Sequence, residues 1–284
     1  MVREFKLKNE KGQEYSLMDI ERYCLLTEPS GLGYSYSTEY EQLGNSFFTN
    51  LRKLEQGIIT GVANFLNYEN FMNFGNFVES TKKLQFVYSI PYEGKKKTFY
   101  RDINIKSIGK SEKQKDGVLS ETVEFECLSL WYEQNETTFK IEPQANEMRW
   151  NFKWDTIFND NSSQSINYEN KGQTDAPIFF EINGPTSNLI LQIYENSELV
   201  QEVKVKANIL KYEKLIYSSK ENEFAIKKIK TDGTEESLFD LDIIDFENNN
   251  VIRIPKDAIC ELRIKADNVI ENAKLTIYPQ YKCV

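Results

Sequence analysis

Alternation is the feature that most constrains how this chain can fold. Short runs carry apolar residues at every second position, and turn-forming clusters separate them. "LQFVYSI", "TFYRDINIKSIGK" and "GVLSETVEFECLSLWY" follow this rule in the first half. "PIFFEING", "NLILQIYEN", "LVQEVKVKANIL", "EFAIKKIK" and "CELRIKAD" follow it in the second, with "NGPTSN" and "TDGTEES" among the links. A period of two marks a strand with one wet face. Strands this short and this numerous imply a mainly β chain, and in the second half a β-sandwich. No repeat of 20–50 residues is visible, which argues against a propeller or solenoid.

One segment breaks the pattern. In "NFLNYENFMNFGNFVES", residues 64–80, Phe65, Tyr68, Phe71, Met72, Phe74, Phe77 and Val78 recur at three- and four-residue steps. That spacing predicts an amphipathic helix. Gly75 weakens it by about 1 kcal/mol relative to Ala, so packing against a sheet must hold it.

After the helix, "LQFVYSI" and "TFYRDINIKSIGK" read as the outgoing part of a long hairpin, with "GVLSETVEFECLSLWY" as its return strand. Runs of more than ten residues exceed the usual strand, and a two-stranded ribbon is marginal alone, so something must cover it. In the return strand Val123, Phe125 and Cys127 share one face, and Thr122, Glu124 and Glu126 share the other. Continued alternation puts Leu128, Leu130 and Tyr132 on the side of the glutamates, so the wet face turns dry. These three are candidate interface residues. Lys95, Lys96, Lys97, Arg101, Lys106, Lys110, Lys113 and Lys115 make the hairpin basic. They read as charged edges that block stray strand pairing, or as a patch for an acidic partner.

The polar stretch 136–148 reads as a connector between a domain over 1–135 and a second over 149–271. At 284 residues the chain is long enough for two such cores. Its net charge is -9. Nucleic-acid affinity comes from cations that release counterions, so an acidic chain is a poor generic binder of DNA or of anionic membranes. No run approaches 18 apolar residues, and "MVREFKLKNEKG" has no apolar signal-peptide core. There is no histidine. That removes Ser-His and Cys-His nucleophile pairs and histidine metal ligation. Cys24, Cys127, Cys260 and Cys283 form no CxxC pair and read as reduced thiols. No cofactor and no catalytic residue is expected.

Two weaker constellations stand out. Trp150, Phe152 and Trp154 share a face, either as a sugar-stacking platform or as the inner face of the sandwich. "DGTEESLFDLDIIDFENNN", residues 232–250, carries Asp240, Asp242 and Asp245 without the EF-hand order, and reads as a solvated acidic loop. No Gly-rich phosphate loop, nucleophile elbow or zinc spacing appears.

"FYRDINIKSIGKSEK", followed by "DGVLSETVEFECLSLWY", resembles the N-terminal signature of the distal tail proteins (Dit family) of long-tailed phages: a Y-R-x-V-type strand, a lysine-rich turn, G-x-L-x-E-x-V-x-F, then L-S-x-W-Y. The helix of Phe71, Phe74 and Phe77 lies at the expected place upstream. "ENKGQTDAPIFFEINGPTSNLILQI" is similar to the N-x-G…P…I-x-G…N opening of the family's galectin-like domain, with Leu189 where the family often has proline. The resemblance covers nearly the whole chain. It implies an N-terminal β-sandwich-like ring domain, with one helix and a long hairpin as its belt, followed by a galectin-like β-sandwich. It implies a hexameric ring that joins the tail tube protein to the tail-tip protein (the tail-associated lysin) and to receptor-binding or peripheral baseplate proteins. DNA would pass through as cargo, with no membrane partner, and the virion tail tip would be the site of action. It makes Leu128, Leu130, Tyr132, Phe71, Phe74 and Phe77 candidate ring contacts. In some relatives the last strand, within 272–284, returns to the first domain. Two other functions compete: an adhesin that binds host cell-wall glycans through the second sandwich, using Trp150 and Trp154, and a wall hydrolase, for which no acid/base pair can be located.

Overall fold

A computed structural model describes residues 3–112, 117–141, 163–239, 251–267 and 270–284. It is mostly β, with one α-helix among those residues. The chain divides into two compact units: Met1–Glu133 with Tyr281–Val284, and Gln134–Gln280.

The first unit contains β1 (Glu4–Asn9), β2 (Glu14–Ser16), β3 (Leu25–Ser30), β4 (Tyr36–Leu43), β5 (Ser46–Leu54), β6 (Ile58–Phe65), α1 (Tyr68–Glu79), β7 (Leu84–Tyr92), β8 (Lys95–Ile108), β9 (Leu119–Cys127) and β10 (Trp131–Tyr132). Its main sheet runs β2-β1-β7-β8-β9-β6-β3, antiparallel throughout, with Tyr132 of β10 paired to Tyr100 of β8. The Leu26 N–H donates to Leu17 O at 2.8 Å, which brings the two ends of the sheet together. The hairpin over 84–127 is therefore no isolated ribbon. It is the middle of this sheet, and its neighbours cover it.

Alternation builds the inner face. Phe5 and Leu7, Phe86 and Tyr88, Phe99 and Ile103, and Val123 and Phe125 are all buried. The helix is shorter than its apolar spacing predicts, because Asn64 and Phe65 end β6. Asn67 caps it, its side chain accepting from the Asn70 N–H at 2.8 Å. Phe74 packs 5.5 Å from Phe65 and 5.4 Å from Tyr15, centroid to centroid. Tyr68 and Met72 point outward and are exposed.

Trp131 is the largest buried side chain of this core. Its Nε1–H donates to Leu32 O at 2.8 Å, and its ring lies 6.1 Å from Phe86 and 5.9 Å from Tyr88. The Arg101 guanidinium sits 5.4 Å from the indole, and its Nε–H donates to Ser129 O at 2.9 Å. Arg101 is thus no part of a solvated basic edge. It shares the inward parity of Phe99 and Ile103 and is 3% exposed. Desolvation holds its pKa below the ordinary value.

The second unit contains β11 (Asn135–Ile141), β12 (Ser163–Glu169), β13 (Ala176–Asn183), β14 (Thr186–Glu195), β15 (Glu198–Ile209), β16 (Lys214–Ser218), β17 (Ala225–Ile229), β18 (Glu235–Ser237), β19 (Arg253–Ile254), β20 (Ile259–Lys265) and β21 (Ile270–Ile277); a last short strand, β22 (Gln280–Tyr281), spans the boundary. One sheet runs β11-β21-β13-β16-β17-β18 and the other β12-β20-β14-β15. Ile178, Phe180, Leu191, Ile193, Val203, Tyr217, Leu262 and Leu275 meet in one core between them. Two expectations change. Residues 136–141 lie in the stretch that reads as connector, yet they are strand, part of β11 and paired along β21 from Asn135↔Ile277. At the other end, β21 stays in the second unit, and Tyr281–Val284 alone belong to the first.

Two predictions follow from these cores. Trp131→Ala removes the centre of the first core and is expected to lower its stability by about 3–5 kcal/mol in urea unfolding. Leu128→Ala, on an exposed side chain three residues away, stays within about 0.5 kcal/mol. Burial pushes the Cys24 thiol up to about 12 and also raises Cys127 and Cys260, while Cys283 is exposed. A thiol-reactive chromophore at pH 8 should therefore titrate one cysteine in the native chain and four in denaturant.

Candidate assembly surface

The exposed apolar surface of the first unit concentrates in a segment that the period-two reading passes over. Strands β4 and β5 pair with each other and with no other strand among the described residues. The register runs from Tyr36↔Leu54 to Leu43↔Ser46, with a bulge between Glu39 and Tyr40. Gly44 and Asn45 form the two-residue loop. Gly44 has φ +61°, and glycine is the residue of choice at the first position of such a hairpin loop.

Residues paired across an antiparallel ladder lie on the same face. One face of the hairpin therefore carries Tyr36, Tyr40, Phe47 and Leu54, and the other carries Leu43, Phe48 and Leu51. Leu43 is 72% exposed, Phe47 67%, Tyr40 63% and Phe48 56%. Burying one Phe fully would stabilise a contact by about 1.5–3 kcal/mol. A contiguous patch of this kind on a soluble protein marks an interaction site. Charges lie among the apolar residues: Glu39 and Glu41 on β4, Arg52 and Lys53 on β5.

The hairpin is rooted firmly. The Glu55 N–H donates to Ser35 O at 3.0 Å, and Ser35 Oγ donates to the Glu55 carboxylate at 2.7 Å. Gln56 Nε2 donates to Cys127 O at 3.3 Å. Beside the root, Cys127 ends β9, and the Leu128 N–H donates to Asp102 O at 2.8 Å.

The candidate contact residues separate into buried and accessible ones. Tyr132 is buried within its own unit. Its hydroxyl donates to Asp102 Oδ1 at 2.5 Å and accepts from Gln85 Nε2 at 2.6 Å, and its ring stacks on Tyr100. Phe74 is also fully buried, so neither offers a side chain to a neighbour. Phe71 and Phe77 are half-buried against the unit's own core. Leu130 is half-buried, and Leu128 is exposed. Trp150 and Trp154, like Phe152, Asp240, Asp242 and Asp245, lie outside the described residues. Among the described residues, no cluster of three or more acidic or cysteine side chains is placed to hold a metal ion.

The profile of the distal tail protein N-terminal domain matches residues 4–128. The whole chain also superposes on solved structures. A chain of the phage P2 baseplate, in its activated conformation with calcium, aligns with TM-score 0.68 and 17% identity over 100% of both chains. The Dit protein of phage SPP1, described as a paradigm of hub adsorption apparatus in phages that infect Gram-positive hosts, aligns with TM-score 0.57 and 11% identity over 96% of this chain and 98% of that one. No curated protein sequence matches. At these identities the structures show a shared fold, while the profile shows the lineage of the unit that bears the hairpin. Residues 4–128 are thus similar to the N-terminal domain of the distal tail proteins, and the chain as a whole shares the fold of phage baseplate hub proteins.

Proposed function

We propose that the protein is a baseplate hub whose first unit closes into a ring of six copies. The ring joins the tail tube to the tail-tip protein, and the second unit faces receptor-binding or peripheral baseplate proteins. The observation that carries this reading is the β4–β5 hairpin, apolar on both faces and paired with nothing else among the described residues. A ring needs a heterologous contact, in which one surface meets a different surface of the next copy. A projecting ribbon with two dry faces supplies the first half of such a contact. The net charge of -9 suits a ring that lets DNA pass, since like charge disfavours retention. Role by role, the reading is architectural, with no catalytic step. The glycan-adhesin alternative rests on Trp150 and Trp154, and no described residue adds to it.

Light scattering on the full chain at tens of micromolar should give about 200 kDa, the mass of six chains of 33.3 kDa. Phe47→Ser/Phe48→Ser should shift that mass to one chain without lowering the melting temperature, because both side chains are exposed in the isolated unit. A single-chain mass for the unaltered protein, or an unchanged six-copy mass for the double variant, would overturn the reading.

A further inference from the structure

The last four residues, Tyr281–Val284, belong to the first unit, although the chain reaches them from the second. They end at the root of the hairpin. Lys282 Nζ donates to the Tyr36 hydroxyl at 2.8 Å and lies 5.5 Å from the centre of that ring. The Arg52 guanidinium sits 4.0 Å from the same ring. Tyr36 opens β4, and Arg52 lies near the end of β5. One aromatic ring thus holds a cation from each source, the hairpin's second strand and the tail. The tail itself is fixed: Tyr281 packs 5.4 Å from Phe99, its hydroxyl donates to the Glu133 carboxylate, and Lys97 bridges to Glu133 at 2.9 Å.

We infer that Lys282 is a positioning residue that locks the direction in which the β4–β5 hairpin leaves the body of the first unit. A two-stranded ribbon joined at one end is a lever. Its eight or nine residues per strand span about 27 Å, so a pivot of 10° at the root moves the tip by about 5 Å. That displacement is as large as the spacing between neighbouring strands, enough to lose a specific contact. Closing a ring requires every copy to present its contact at the same angle. A hairpin already held at that angle loses less freedom when it docks. The tail supplies the hold from outside the ribbon, through a charge-assisted hydrogen bond and a cation over the ring. The angular lock stands on the geometry of one chain. Its consequence for assembly rests on the hub reading.

The two are separable by experiment. In a Cys283→Ser background, spin labels at Asn45→Cys in the exposed hairpin loop and Glu79→Cys at the exposed end of α1 report the hairpin's direction by pulsed electron resonance. The sample is diluted with unlabelled chain, so that distances within one copy are read. The parent should give a narrow distance distribution. Lys282→Ala should broaden it about twofold with little change in melting temperature, and Lys282→Arg should keep it narrow. In the chain without spin labels, the concentration for half-maximal ring formation should increase about tenfold with Lys282→Ala and stay close to the parent's with Lys282→Arg. An unchanged distribution in Lys282→Ala overturns the lock, as does broadening that Arg fails to rescue. A broadened distribution from a protein that never forms a ring keeps the lock and overturns the hub reading instead.

Discussion

Pairing within the β4–β5 hairpin satisfies the backbone groups between its two strands and leaves both faces of the ribbon to water. Such a ribbon has no interior of its own, so Tyr40, Leu43, Phe47 and Phe48, more than half exposed, gain little from folding of the isolated unit. Every other strand of the first unit escapes this constraint by joining the main sheet, whose inner face is closed by α1 and by Trp131. The hairpin's exposed apolar residues can therefore release further free energy only when something covers them. The body of the unit is arranged to make that possible. A sheet whose ends meet at Leu17 and Leu26 offers little open edge to stray strands, and the bulge within β3, with Pro29 in it, blunts the edge that remains.

Trp131 shows how the root of the ribbon is tied to the core. Its indole N–H reaches Leu32, four residues before β4, and its ring carries the buried guanidinium of Arg101. Among the described residues no carboxylate forms an ion pair with Arg101. It donates to a backbone carbonyl and lies over an aromatic face, which is how a buried cation is held when opposite charge is absent. The same short stretch holds Cys127, whose N–H donates to Gly57 O just after the hairpin. Core and hairpin thus share a seam of backbone hydrogen bonds.

Much of this was legible in the sequence. Apolar residues at every second position located β7, β8, β9 and the long strands of the sandwich, because each turns one face to a core. The helix was legible from Phe71, Phe74 and Val78, although alternation running into Phe65 blurred its start. The hairpin was not legible, for a physical reason. A ribbon exposed on both faces has no single dry face, so alternation has nothing to report. Its apolar residues fall at 36, 40, 43, 47, 48, 51 and 54, mostly three or four apart, which imitates a helix. Gly44–Asn45 was the signal that could have separated the two, since a glycine and an asparagine together suit a hairpin loop and weaken a helix. The stretch after Cys127 misled for the opposite reason. Alternation was carried through to Tyr132, but β9 ends at Cys127 and the chain turns at Leu128 and Ser129 before β10 begins. Leu128 is consequently exposed, while Trp131 and Tyr132 are both buried, on opposite sides of the sheet.

The residues that carried the family resemblance in the second unit are explained by backbone geometry and not by a binding site. Asn170 is buried. Its side chain accepts from the Gly172 N–H at 2.9 Å and donates to Thr174 O and Ile254 O, both at 3.0 Å. A Cβ on Gly172 would lie 2.8 Å from Gln280 N, and one on Gly184 would lie 2.2 Å from Leu210 O. The N-x-G and I-x-G patterns therefore mark places where two chain segments pass too closely for a side chain. Motifs of this origin report a fold, and the fold is what this chain shares with structures at 11–17% identity. In the first unit the profile covers residues 4–128, whereas the strongly exposed apolar side chains Leu43, Phe47 and Phe48 sit at the tip of one hairpin whose root Lys282 meets through the Tyr36 hydroxyl.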